Sequence, residues 1–133
     1  MKYLSQSYVY LAIFGESFIP NEFSKLINIT PTKVAVKGEN LEYTVSKECF
    51  WEYKLEKNNA LEELDLSLNK LMEVFKSKTD IIRKFMLDNN LEAKCNVVIE
   101  VKNNEDSGVF LSSDFIIFLE SINASVEVNT YNY

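Results

Sequence analysis

The sequence predicts an α+β domain in which helices pack on one face of a mixed, mostly antiparallel sheet, in a ferredoxin-like or related arrangement. Segments with a period of two, typical of strands, alternate along the chain with segments of helical period. Most of these strands place polar residues on one side, as in a sheet with one solvent-exposed face. The 133 residues are 47% hydrophobic with three glycines and two prolines, which indicates a single domain, residues 1–133, without a linker.

The N-terminal half is predicted to hold four strands and one short helix. Residues 7–14 are apolar or aromatic on both parities, as expected of a central strand, and Gly15 ends it. Pro20 suits the first position of a helix, which Pro31 stops because the residue before a proline leaves the α region. The remaining strands are predicted at residues 33–37, 41–45 and 49–55, with turns at 38–40 and 46–48.

A long helical stretch is predicted next. Asn59 with Glu62 resembles a capping box at its start, and residues 76–79 mark a break before a second helical segment that ends at Asn89 and Asn90. The apolar stripes predicted to face the core are Leu61, Leu64, Leu68, Leu71 and Phe75 in the first segment, and Ile82, Phe85 and Met86 in the second.

The C-terminal part is predicted to form a strand, a helix and a final strand. Residues 93–101 alternate clearly, 103–108 form a turn, 109–111 a short strand, and Ser113 caps the helix that follows. That helix carries Phe115, Ile116, Phe118, Leu119 and Ile122, and the strand at 124–130 is expected to point Ala124, Val126 and Val128 inward. The two chain ends resemble each other as duplicated β-α-β units, although shared apolar patterning explains the similarity equally well.

Charge and hydropathy narrow the choice of partners. The net charge of −6 and the isoelectric point near 4.7 argue against nucleic acid and favour a basic protein partner. The longest apolar run, residues 8–14, is far shorter than the roughly 20 residues of a membrane helix. No signal peptide is recognised at the start, so we expect a cytoplasmic protein that does not bind membranes.

No residue stands out as catalytic, cofactor-binding or metal-binding. The chain has no histidine, which excludes Ser-His-Asp and Cys-His catalysis and histidine-ligated metals. Cys49 and Cys95 lie on the apolar parity of their strands, so we expect free, buried thiols rather than nucleophiles.

Acidic residues on the long helix allow two interpretations. Glu62, Glu63, Asp65 and Glu73 lie away from its leucine stripe, where a solvated face requires polar residues. Alternatively, Leu66 is an apolar anchor within an acidic rim, the layout of a contact surface for a basic partner.

The loop Lys37-Gly38-Glu39 invites comparison with an anion-binding loop. A phosphate cradle needs several glycines before a helix N-terminus, whereas this loop has one glycine between predicted strands. A turn with Gly38 at positive φ is the stronger interpretation. A ligand cleft near this turn and Trp51 is kept as an alternative.

With these segments in order, the chain resembles the bacterial domain-of-unknown-function family 4279. The resemblance extends over nearly the whole length and is most specific at Pro31-Thr32 followed by Lys37-Gly38-Glu39, with Trp51 and the strand at 97–101. The chain departs from the family pattern at Ile19, where relatives often place an acid, and at 34–36, where an aromatic is common. The resemblance implies the fold and no activity.

Three functions follow as hypotheses. The first is a non-enzymatic protein-binding module, such as an immunity protein or inhibitor that neutralises a basic toxin or effector domain. The second is a small-ligand sensor, or an enzyme using carboxylates, with a cleft near Trp51. The third is a self-associating structural protein that buries the sheet face around Phe50 and Val98 in a homo-oligomer.

Overall fold

A computed structural model describes residues 5–102 and 108–132 and confirms the α+β class. The strands are β1 (Gln6–Gly15), β2 (Lys33–Ala35), β3 (Cys49–Lys54), β4 (Glu92–Val101) and β5 (Ala124–Asn132), and the helices are α1 (Pro20–Ile27), α2 (Leu64–Phe75), α3 (Thr79–Asn89) and α4 (Ser113–Ser121).

The five strands form one mixed sheet in the order β2-β3-β1-β4-β5. Pairs β2-β3, β3-β1 and β1-β4 are antiparallel, and only β5 runs parallel to its neighbour, β4. Without α4 and β5, the chain follows a β-α-β-β-α-β course with β1 and β3 in the middle, which is the ferredoxin-like arrangement. The unit α4-β5 therefore extends a ferredoxin-like core by one strand.

Both chain ends form β-α-β units, as the sequence suggests. β1 and β2 are each antiparallel to β3 and so run parallel to each other, while β4 and β5 are parallel and adjacent. The two units differ because β3 inserts between the strands of the first. In each unit an asparagine with positive φ follows the helix, Asn28 at 57° and Asn123 at 51°.

The two faces of the central strand β1 differ in burial. Val9, Leu11 and Ile13 are fully buried beneath the helices, whereas Tyr8 and Tyr10 on the other parity are half-buried on the open face. This alternation follows from the two-residue period of a strand. The helix-side residues belong to one continuous apolar cluster.

Aromatic rings fill the part of the core over β3. Trp51 is fully buried, with its ring centroid 5.0 Å from Phe23 and 5.9 Å from Phe75, both at steep angles. Its indole Nε1 donates a hydrogen bond of 2.8 Å to Ser24 Oγ. A buried ring with a satisfied polar atom contributes roughly 3–5 kcal/mol relative to alanine.

The predicted helix stripes are confirmed. Leu64, Leu68, Leu71 and Phe75 are buried on α2, and the expected break is a 3-10 turn at Lys76–Lys78. α3 ends at Asn90, whose φ of 54° is a left-handed cap. Within the described ranges, no helix combines the length and the apolar content that crossing a membrane requires.

The strand predicted at residues 41–45 is wrong. This segment is a bent loop with an isolated bridge between Asn40 and Val45, and Tyr43 is almost fully exposed. Its residues have strand propensity, but the nearest sheet edge, β2, is only three residues long and offers no ladder to join. Propensity alone does not form a strand without a partner.

Two helix starts and one strand also differ from expectation. α2 begins at Leu64 after a 3-10 turn, and neither the turn nor the helix has a side-chain cap. Asn59 is not at the helix start, and its side chain accepts a hydrogen bond of 3.4 Å from Gln6. α4 is capped by Ser112, whose Oγ accepts from Phe115 N at 3.1 Å, rather than by Ser113. Residues 109–111 form no strand, and most of the turn predicted at 103–108 lies outside the described residues.

Apolar residues at the β5 end of the sheet are less buried than predicted. Val126 and Val128 lie on the helix side of β5 by register with Cys95 and Val97, yet both remain exposed. Ile116 on α4 is exposed as well. The reason is that β5 is an edge strand, and the helices cover only its inner margin.

Candidate functional site

The five residues that the sequence predicts to contact a partner lie on α2 and on the turn that precedes it. Glu62, Glu63, Asp65, Leu66 and Glu73 are all exposed. Glu62 and Glu63 belong to the 3-10 turn that precedes α2, and the other three lie on the helix itself. With about 3.6 residues per turn, Glu73, seven positions after Leu66, falls on nearly the same stripe, while Asp65 lies on the flank.

A groove runs between α2 and α4 beside this stripe. It has a volume of about 370 Å³ and is open to solvent along its length. Its floor and rim are a mixture of apolar and charged side chains: Met72, Glu73, Lys76, Thr79, Asp114, Ile117, Phe118 and Ser121.

A smaller recess continues the surface towards the N-terminus of α4. Its volume is about 130 Å³, and Asp65, Asn69 and Phe110 are among its lining residues. Asp65 thus connects the acidic stripe to the segment that precedes α4. The side chain of Phe110 is 70% exposed there, which is unusual for a ring of this size.

We define the α2/α4 surface as the stripe, the groove and the recess taken together. It carries three large, exposed apolar side chains. The exposed fractions are 60% for Leu66, 70% for Phe110 and 62% for Ile117. The first was identified from the sequence and the other two were not. The sequence around Phe110 has no pattern that indicates an exposed side chain. Ile117, in contrast, could have been recognised from the sequence, because it lies opposite the core stripe of its helix.

The charge of the α2/α4 surface is predominantly negative. Glu62, Glu63, Asp65, Glu73 and Asp114 contribute acids, and Lys70 and Lys76 contribute bases. Lys76 Nζ is 2.8 Å from Glu73 Oε1, so that pair is locally neutral. Exposed charges of this kind are screened by salt and contribute little to stability, which leaves them available to a partner.

The loop around Gly38 is a turn, as predicted. Gly38 has φ of +88° and donates its N–H to Ser46 O at 2.9 Å, and Glu39 donates its N–H to Val36 O at 3.0 Å. Lys37 forms an ion pair with Glu16. The backbone donors of Gly38 and Glu39 are thus engaged within the loop rather than directed at an anion.

Trp51 lies in the core rather than at a cleft. Its ring has no exposed surface, and its one polar atom already bonds Ser24. Lys37, Gly38 and Glu39 are exposed. The loop and the tryptophan therefore do not form a shared ligand pocket.

On the open face of the sheet, charged side chains contact aromatic rings and one another. Lys54 Nζ lies 4.1 Å from the centre of the Tyr8 ring, and Lys94 bonds Glu127 at 3.0 Å. Val98, one of the two residues proposed to bury this face in a dimer, is already buried by its neighbours. Phe50 is half-buried, with Lys33 Nζ 5.6 Å from its ring centre.

Burial perturbs two titratable groups on this face. It raises the pKa of the Tyr10 phenol, with a further contribution from Glu52. It also raises the pKa of Glu52, although Lys33 and Lys54 act in the opposite direction. Both effects follow from partial desolvation of the charged form.

The cysteines and acids do not assemble into a reactive or metal-binding centre in the part of the chain that the structure describes. Cys49 and Cys95 are free and buried, and burial raises the pKa of the Cys95 thiol to about 12. Among the described residues, no group of three or more cysteines and carboxylates is placed to hold a metal ion. A neutral, enclosed thiol is a poor nucleophile.

A family described as "Domain of unknown function (DUF4279)" has a model that matches residues 5–133. The chain belongs to this family. No curated protein and no solved structure gave a match.

Proposed function

We propose that this DUF4279 protein is a non-enzymatic protein-binding module and that the α2/α4 surface contacts a basic partner. The observation that carries the proposal is a set of three exposed apolar side chains beside acidic residues: Ile117 lines the groove, Phe110 lines the recess, and Leu66 lies on the helix stripe that includes Glu73 of the groove. Apolar anchors surrounded by charge are the usual composition of an interface centre and its rim.

The chemistry of the surface defines the partner. A protein with a positive patch would be attracted over about a Debye length and would associate faster at low salt. An apolar side chain of that partner, seated in the groove between α2 and α4, would slow dissociation. An immunity protein or inhibitor that neutralises a basic toxin or effector domain fits this description.

The decisive experiment measures binding to a specific protein. We expect the product of the gene adjacent to this one to form a complex detectable by titration calorimetry at micromolar concentration, with affinity that falls as salt rises. Replacing Leu66 with lysine should weaken the complex at least about tenfold, since it removes an anchor of roughly 2 kcal/mol.

A matched control separates this surface from general effects of an exposed lysine. Leu87 on α3 is 63% exposed, close to the 60% of Leu66, and lies outside the α2/α4 surface. Leu87→Lys should leave the affinity unchanged. Absence of a complex, or equal losses for the two variants, would overturn the proposal.

A further inference from the structure

The edge of the sheet formed by β5 has the properties of an incomplete ladder. β5 is nine residues long and pairs with β4 on one side. Backbone groups on an exposed strand edge are hydrogen-bonded to water and can instead pair with another strand. Within residues 5–102 and 108–132, no strand pairs with the outer edge of β5.

The strand has few of the features that discourage edge pairing, since Glu127 is its single charged residue. Natural edge strands are commonly short or carry proline or lysine. The opposite edge of this sheet, β2, follows that rule, since it has three residues and begins at Lys33. β5 has the sequence ASVEVNTYN, with neither proline nor lysine.

Apolar side chains accompany the open edge. Val126 and Val128 are exposed on the helix side of β5. Ile116 is exposed on α4, about 100° around the helix from Ile117, which lines the groove with α2. The groove-lining positions Asp114, Ile117 and Ser121 centre on a different side of the helix at 100° per residue, so Ile116 lies on the flank of α4 turned away from α2.

We propose that the outer edge of β5 pairs antiparallel with β5 of a second copy of this chain. The midpoint of Ala124–Asn132 is Val128, so a two-fold axis at Val128 brings all nine residues of each strand into register. The opposed pairs are then Val128 with Val128, Glu127 with Asn129, Val126 with Thr130, Ser125 with Tyr131, and Ala124 with Asn132.

Charge supports this register. Glu127 is the charged residue of the strand, and it is held by Lys94 of the same chain at 3.0 Å. Pairing about Val128 places it opposite an asparagine. A shift of the axis by one residue to Glu127 would bring two carboxylates face to face, which is unfavourable between strands.

The resulting dimer is one continuous ten-stranded sheet. On its helix side, the exposed Val126 and Val128 of the two copies come together about the axis, so each apolar strip covers part of the other. The surface formed by α2 and α4 remains free, so this association is independent of the proposed function.

Disulfide trapping tests both the contact and its register. Residues opposed on antiparallel strands have Cα atoms about 4.5–5.5 Å apart, within the range that a disulfide spans. Under mild oxidation we expect Val128→Cys to form a crosslinked dimer, whereas Val126→Cys, roughly 13 Å from its own copy in this register, should not. Cys49 and Cys95 are buried and do not compete.

Sedimentation supplies an independent measurement. The unmodified chain should sediment as a dimer at about 100 µM, and Val128→Lys as a folded monomer. Val45→Lys, with a similar exposed fraction of 48% against 45%, should remain dimeric. A monomeric unmodified chain, a dimer that persists in Val128→Lys, or crosslinking of Val126→Cys in place of Val128→Cys would overturn the proposal.

Discussion

At the scale of single residues, Glu52 illustrates how position in the sheet controls protonation. It lies on β3 opposite Ala12 of β1 and Lys33 of β2, half-buried on the open face. Burial raises its pKa above the ordinary value of 4.5 despite two nearby lysines. Desolvation therefore outweighs the attraction of the neighbouring cations at this site.

The sign of this shift predicts a pH dependence of stability. A carboxyl group with a raised pKa in the folded chain stabilises folding below its unfolded pKa, and this contribution is lost as the pH rises through the folded pKa. We expect Glu52→Gln to gain unfolding free energy relative to the unmodified chain between about pH 4 and pH 7. Urea unfolding at a series of pH values measures this difference.

Glu127 provides a control, because its pKa is shifted in the opposite direction to that of Glu52. Its hydrogen bond to Lys94 lowers its pKa, so its contribution is present above the unfolded pKa and lost as the pH falls. As the pH rises from about 2 to about 5, Glu127→Gln should accordingly lose unfolding free energy relative to the unmodified chain, and the difference should stay constant at higher pH. Parallel trends in the two variants would contradict the assignment.

At the scale of elements, α4 depends on its N-terminal cap. Ser112 has extended φ and ψ of −66° and 159°, and its Oγ accepts from Phe115 N. We expect Ser112→Ala to lower the unfolding free energy by about 1 kcal/mol, because the first turn loses one of its side-chain acceptors. Denaturant unfolding monitored by circular dichroism measures the change.

The neighbouring serine is the matched control for this prediction. Ser113 is exposed and is the first residue of α4, so Ser113→Ala should change stability by less than about 0.5 kcal/mol. The reverse order of effects would show that Ser113 is the cap, as the sequence had suggested.

The elements themselves were largely predictable, and their pairing was not. Residues 93–101 and the stripe on α2 carry strong periods, so local sequence suffices to define them. Residues 41–45 have strand composition and still form a loop, because a strand requires a neighbour and periodicity does not specify one. The capping box predicted at Asn59 is absent because a 3-10 turn precedes α2 and the helix begins only at Leu64.

The candidate surface was only partly predictable, because part of it depends on contacts between segments that are distant in sequence. Leu66 and its acids belong to one helical segment and could be recognised from spacing. Phe110 and Ile117 join them through the packing of α4 beside α2, a contact between segments about 45 residues apart in sequence that no local pattern encodes. The groove therefore emerges only from tertiary structure.

At the scale of the whole molecule, Cys95 reports on global unfolding. It is fully buried on β4 between β1 and β5, and its pKa is raised to about 12. In a Cys49→Ser variant we expect thiol reagents to label Cys95 only through the globally unfolded state. The labelling rate should rise with urea in parallel with the equilibrium unfolding curve.

Labelling of Cys95 through local opening of the folded chain would give a different dependence on urea. If Cys95 reacted at a rate independent of low urea concentrations, the centre of β4 would open locally. That outcome would contradict the continuous core on the helix side of the sheet.

The place of β1 in the sheet has a further consequence for biosynthesis. This strand contributes the first structured residues of the described chain, yet one of its two neighbours is β4, at Glu92–Val101. During synthesis on the ribosome, β1 remains unpaired on that side until residues 92–101 have emerged, and forming a contact so distant in sequence is slow. During that interval its two tyrosines and the apolar residues Val9, Leu11 and Ile13 are accessible to chaperones, so nascent-chain recognition should concentrate on residues 6–15.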